Sequence, residues 1–332
     1  MSVKEPLLSV KQLKTVFKTR ETELVAVDGI HFDIFPGEIL GLIGESGSGK
    51  TVSGLSILNL ISNPGCVAEG EILFKGRSLL NLSEREMREI RGREIAYIFQ
   101  DPTTSLNPTK TVGWQIHHIL SAKRRNGREG FRSGNEAFSL KERTQHLLAD
   151  VGILSPEKVI SLYPHNLSGG MLQRILIAMA LGSSPDLIIA DEPTTNLDVI
   201  VEAQILKLFL KLRDTVGSAI LFITHDIGVI AETCDRVIVL YAGKIMERGD
   251  IDEVLNHPLH PYTVGLLQSS PRLEEEKEKL YQIKGELPSL LELPKGCRFS
   301  PRCDRALPVC AETLPPMIEV QKDHFVSCHL YV

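Results

Sequence analysis

The chain has 332 residues, enough for two domains or for one domain with an appendage. It is 42% hydrophobic and 24% charged, an ordinary soluble composition. Its net charge of −5 argues against a protein that coats nucleic acid, which would carry a basic surplus.

The opening stretch MSVKEPLLSVKQLKTVF has neither the apolar run nor the cleavage site of a secretory signal. Residues 7–43 read as β-rich through LLSVKQL, VAVDGIHFDIF and EILGLIG, with a turn at Pro36-Gly37. A helix is predicted from about Gly49 to Leu60, then a hairpin strand in GEILFKGRSLL. SEREMREIRGRE reads as a polar helix with Ser83 at its N-cap and Glu86 three residues later. EIAYIF is a strand, and residues 101–185 are mainly helical around a basic insert, AKRRNGREGFRSGNEAF, read as a solvated loop. DLIIAD and SAILFIT are buried strands flanking the amphipathic helix VEAQILKLFLKLRD. RVIVLYAGKIMERG is a hairpin turning near Ala242-Gly243; EEEKEK is a solvated charge run, and LPSLLELPKG is a linker. The most tempting apolar run, ILIAMALGSSP between Arg174 and Asp186, is too short to span a bilayer, so a cytosolic location with reduced thiols is expected.

GESGSGKT, Gly44 to Thr51, fits G-x-x-x-x-G-K-[ST] between a strand and a helix. Glycines let backbone N–H groups curl around phosphate oxygens, and the helix N-terminus adds positive charge. Lys50 would reach the β- and γ-phosphates and Thr51 would coordinate Mg²⁺. DLIIADEP delivers Asp191 to a strand end as a Mg²⁺ ligand, with Glu192 next to it to polarise an attacking water.

Three further motifs narrow the reading. LSGGMLQR (167–174), FQDP (99–102) and THD (224–226) stand in the order and spacing of the ATP-binding cassette (ABC) ATPases, which the chain resembles from residue 7 to about 250. The resemblance implies an α/β P-loop NTPase cassette over residues 1–257: a mostly parallel sheet core, an antiparallel β subdomain and an α-helical subdomain at about 101–185. It implies ATP binding by Gly44, Ser46, Gly47, Ser48, Gly49, Lys50, Thr51 and Val52, and Mg²⁺ held by Thr51, Gln100 and Asp191. Glu192, His225 and Gln100 are the implied catalytic residues. Ser168, Gly169 and Gly170 would bind ATP held by a facing cassette, and Asp198 would contact that cassette. Phe17 is the candidate for stacking on adenine, with a place in the core as the alternative. The family more often has Ala where this chain has Asn196, and Arg or Gln where it has Leu172; the first departure leaves the details of cross-subunit contact open.

DPTTSLNP (101–108), HPYT (260–263) and PRC (301–303) resemble the dipeptide/oligopeptide importer branch, with a C-terminal extension over 258–332. Four of the six cysteines fall there: Cys297, Cys303, Cys310 and Cys328, spaced C-x5-C-x6-C-x17-C. A reducing compartment disfavours disulfides, and the spacing lacks the close pair of a zinc knuckle. The resemblance points to a [4Fe–4S] cluster, with Zn²⁺ as the alternative. A metal would supply the folding energy that this proline-rich tail lacks. Cys66 and Cys234 read as core residues. Loss of a tail cysteine is expected to spare nucleotide binding, because the loop at 44–51 is assigned to a separately folded core.

The resemblance implies an ATPase on the cytoplasmic face of the cell membrane, powering uptake of di- or oligopeptides. It would dock on two transmembrane permease subunits, face a second ATPase cassette and serve a solute-binding protein, with no nucleic acid partner. The alternatives are a related importer for another solute such as nickel, or a soluble ABC protein acting on ribosomes or DNA. The last two kinds would carry a second cassette or a long coiled-coil or zinc insertion, and this sequence has neither.

Overall fold

A computed structural model describes residues 5–124, 139–195, 197–269 and 282–332. The chain divides into two compact units, Met1–Leu82 with Leu221–Val332, and Ser83–Ile220.

The first unit contains two sheet regions. One is antiparallel and four-stranded, in the order Glu23–Ile34, Leu8–Lys18, Gly65–Phe74, Arg77–Ser78. Leu8, Val10, Leu13, Val16, Val27, Phe32 and Ile34 are fully buried, so one face of each long strand makes the core. The register slips near Gln12. There Gly70 has φ +105°, and a Cβ on it would meet the Gln12 and Lys11 carbonyls at 2.6 and 2.7 Å.

The second region runs Met317–Gln321, His324–Ser327, Lys244–Asp250, Arg236–Tyr241, Ile39–Ile43, then Ala219–Thr224. Ile39–Ile43 pairs in parallel with Arg236–Tyr241, and all five of its residues are buried, as a covered parallel strand requires. The expected hairpin at 242–243 is present: Ala242 and Gly243 both have positive φ, 44° and 79°. The C-terminal strands Met317–Gln321 and His324–Ser327, which the sequence pattern did not announce, extend this sheet antiparallel from Lys244–Asp250.

In the second unit, Ile95–Ile98 pairs in parallel with Leu187–Asp191. Helices Val112–Arg124, Leu140–Asp150 and Gly169–Gly182 pack on one another. Ser83 caps Glu84–Ile90 with Glu86 closing the box, as expected, and Ser139 with Glu142 repeats the device on Leu140–Asp150. Helix Val199–Val216 buries Ile205, Leu206, Leu208, Phe209 and Leu212 and ends at Gly217 in a left-handed cap. The basic insert, EEEKEK and Asn196 fall wholly or largely outside the described residues. Among the described residues, no helix is long and apolar enough to cross a membrane.

Candidate functional site

In the first unit, strand Ile39–Ile43 delivers Gly44 into a tight turn. A Cβ on Gly44 would lie 2.1 Å from the Leu240 carbonyl oxygen, and one on Gly49 would lie 2.6 Å from that of Ala26. Gly47 and Gly49 have φ of +82° and +105°, so the loop shape requires glycine. Lys50 opens helix Lys50–Ile57 and is almost wholly buried. Its Nζ donates to the carbonyls of Gly44 at 2.7 Å and Glu45 at 3.0 Å, which holds the ammonium within the loop. The buried Ser48 hydroxyl has no hydrogen-bond partner among the described residues, a group that a polar ligand would satisfy. Ser46 and Thr51 are exposed and Val52 is half-buried.

His225 stands exposed just beyond strand Ala219–Thr224. The turn around it is fixed on both sides. Thr224 Oγ1 accepts from the Asp226 amide at 3.0 Å, and Asp226 caps Ile227–Thr233 by accepting from Gly228 N at 2.7 Å.

In the second unit, Asp191 ends strand Leu187–Asp191 and is 2% exposed. Tyr97 donates its hydroxyl to Asp191 Oδ2 at 2.9 Å. Burial, and then the Asp191 charge, push the Tyr97 phenol well above its ordinary pKa, so it remains a donor. Sequence reasoning missed Tyr97; its only signal was its place three residues before Gln100 on the same strand run. Glu192 has φ +47°, an uncommon backbone conformation for a non-glycine residue. Its Oε2 accepts from Gln100 Nε2 at 2.8 Å and from Thr195 Oγ1 at 3.0 Å. Two of the three expected catalytic side chains are thus in direct contact.

Ser168 caps the 14-residue helix Gly169–Gly182, accepting from Met171 N. Ser168 and Gly169 are exposed, and a Cβ on Gly169 would meet nothing within 4 Å among the described residues. Leu172 is 5% exposed, a place suited to an apolar side chain. A Cβ on Gly170 would lie 2.9 Å from Val201 Cγ1, and Val201 N donates to Asp198 at 2.9 Å. The SGG turn and the Asp198 turn are therefore neighbours within the unit.

Phe17 is half-buried, with its ring against Gly65, its cross-strand partner. That contact engages part of the ring.

The cysteines are all free thiols. Among the described residues, no group of three or more His, Cys, Asp or Glu side chains is arranged to hold a metal ion. The expected metal centre is therefore not seen as a converged group of ligands, which supports neither an iron–sulfur cluster nor Zn²⁺. Cys297, Cys310 and Cys328 are buried and Cys303 is half-buried. The Cys310 sulfur accepts from the Leu307 amide at 3.4 Å. Burial pushes the Cys297 thiol up to about 11, and the other three cysteines add to the shift. Cys234 is pushed up to about 12 by burial and fits its reading as a core residue.

Two residues of the C-terminal region contact the nucleotide loop directly. Tyr262 OH accepts from Glu45 N at 2.9 Å, and Arg302 Nη1 donates to Glu45 Oε2 at 2.8 Å. HPYT also finds its role here. His260 N and Leu259 N each donate to the fully buried Glu247 at 2.8 Å, and His324 Nε2 lies 2.8 Å from the same carboxylate.

A family profile described as ABC transporter matches residues 27–195, and one described as oligopeptide/dipeptide transporter, C-terminal region, matches residues 246–310. The chain belongs to the ABC transporter family and carries the C-terminal region of its oligopeptide/dipeptide branch. It is 48% identical to the probable peptide ABC transporter ATP-binding protein y4tR of Sinorhizobium fredii, over 97% of this chain and 94% of that protein. It is 48% identical to the oligopeptide transport ATP-binding protein OppD of Bacillus subtilis, over 98% and 88% of the two chains. Among solved structures, the ATP-binding cassette MJ0796, in a dimeric post-hydrolysis state bound to ADP and Pi, superposes with a TM-score of 0.64 at 27% identity. That match covers 74% of this chain and 98% of the other.

Proposed function

We infer that the chain is the ATP-hydrolysing subunit of a membrane importer for di- or oligopeptides. The observation that carries the chemistry is the pairing of Gln100 with Glu192 one residue beyond the buried Asp191. Relatives named for oligopeptide and dipeptide transport support the peptide reading over nickel, ribosomes or DNA.

Gly44, Ser46, Gly47, Ser48 and Gly49 present the loop, with Val52 behind it, and Lys50 neutralises phosphate charge. The oxygen donors of Thr51, Gln100 and Asp191 suit Mg²⁺, which would supply charge neutralisation at the β- and γ-phosphates. Glu192 orients and polarises water for in-line attack, and Gln100 fixes the carboxylate that does so. His225 contacts the γ-phosphate, and Phe17 stacks on adenine. Exposed Ser168 and Gly169, with Gly170 and Asp198, serve a second cassette. Two permease subunits anchor the pair at the cytoplasmic face of the membrane and receive peptide from a solute-binding protein.

Residues 1–257 form the cassette and 258–332 the cysteine-rich extension. Cys297, Cys303, Cys310 and Cys328 are read as ligands of one [4Fe–4S] cluster. Four thiolates at this wide spacing would suit such a cluster, which takes cysteine ligands. Bound there, the cluster would supply structural cross-linking to the segment. The test of the function is peptide-stimulated ATPase activity and ATP-dependent peptide uptake after co-reconstitution with the permeases. Uptake of another solute with indifference to peptides would refute it.

A further inference from the structure

The second residue of the phosphate loop is an acid, and that needs an explanation. A carboxylate beside a bound polyphosphate repels it unless a cation compensates. Glu45 is held at three points. Its amide donates to Tyr262 OH at 2.9 Å, its carbonyl accepts from Lys50 at 3.0 Å, and its carboxylate accepts from Arg302 at 2.8 Å. Only 6% of the Arg302 side chain is exposed, against 27% for Glu45.

Arg302 does more than pair. Its Nε donates to the Lys284 carbonyl at 2.9 Å and Nη1 to Tyr241 OH at 3.2 Å, while the guanidinium lies 5.7 and 5.9 Å from the Tyr241 and Phe299 ring centres. It thereby ties down the segment leading to Leu287, whose Cδ2 would sit 3.3 Å from a Cβ on Gly47. All these groups lie within one compact unit.

We propose that Arg302 is a positioning residue for the phosphate loop, supplying from the C-terminal segment the counter-charge that lets Glu45 stand beside the bound nucleotide. The inference rests on the ATP reading of that loop. Arg302 acts through Glu45, so the two positions are coupled in a way simple packing would not produce.

The test is MgATP affinity of the full chain and its variants, with thermal unfolding as the check on folding. Wild type binding no MgATP would sink the ATP reading itself, separately from this inference. Given wild-type binding, Arg302→Gln should weaken MgATP about tenfold by leaving Glu45 uncompensated. Glu45→Gln should tighten it about threefold, because Arg302 then acts on the phosphates unopposed. The double variant should return to within about threefold of wild type. An Arg302→Gln loss that Glu45→Gln does not rescue marks a packing role and overturns the proposal. Should Arg302→Gln not fold, Glu45→Gln alone decides, since unchanged or weaker binding there contradicts the counter-charge.

Discussion

Gln100 Nε2 lies 2.8 Å from Glu192 Oε2, across 92 residues of chain. The bond orients one carboxylate oxygen and leaves the other for different partners. Gln100→Ala should lower kcat about 10- to 100-fold, the scale of a mispositioned catalytic group, with MgATP affinity changed much less. Steady-state kinetics beside equilibrium nucleotide binding provide the check. Equal losses in both would mean that Gln100 acts in binding and not in orientation.

Tyr97→Phe removes one hydroxyl and leaves the buried Asp191 with one donor fewer. Hydrogen bonds to charged groups contribute about 1.5–3 kcal/mol, so a stability loss of that order is expected. The Mg²⁺ concentration that half-saturates ATPase activity should also shift. Chemical denaturation and a Mg²⁺ titration measure the two effects, and a variant unchanged in both would show that Tyr97 is dispensable.

Glu247 is fully buried and takes the amides of Leu259 and His260 besides the contact with His324. Glu247→Ala leaves those groups unpaired and should cost about 3–5 kcal/mol, measured by guanidinium unfolding. A loss under about 1 kcal/mol would imply that water replaces the carboxylate.

Asp28 gives a pH signature. Burial alone would raise its pKa, but Lys244 at 3.1 Å and Arg298 at 2.8 Å outweigh burial and hold it below the ordinary carboxylate value. A depressed folded-state pKa contributes stability that is full above the unfolded value, about 3.9, and is lost as pH falls through the folded pKa. Asp28→Asn should therefore be less stable than wild type by about 1–2 kcal/mol near neutrality, with the gap closing below about pH 4. A gap that stays constant down to pH 2 would contradict the linkage.

The cysteine reading is tested by anaerobic purification. Iron and acid-labile sulfide in equal amounts are expected, and Ser at any of Cys297, Cys303, Cys310 or Cys328 should abolish both. Protein prepared this way with neither iron nor sulfide would refute the cluster.

The local features were legible in the sequence: the glycine loop, the buried strand ending at Asp191, the Ser83 capping box and the Ala242-Gly243 hairpin. Each is written in a few consecutive residues or a short period. Tyr97 with Asp191, His324 with Glu247, and Arg302 with Glu45 are 94, 77 and 257 residues apart. Periodicity carries no information about such pairings, so the contact of Arg302 with the loop residue Glu45 could not be read from it. Strand Met317–Gln321 was hidden for a different reason: it is largely exposed and lacks the alternation that marks a half-buried strand.

The most direct test of the account is the turnover of Glu192→Gln. The account predicts MgATP affinity close to wild type and a kcat lower by at least about 10², the usual scale for losing a general base. Hydrolysis at a near-wild-type rate would contradict the assignment of Glu192 and with it the proposed mechanism.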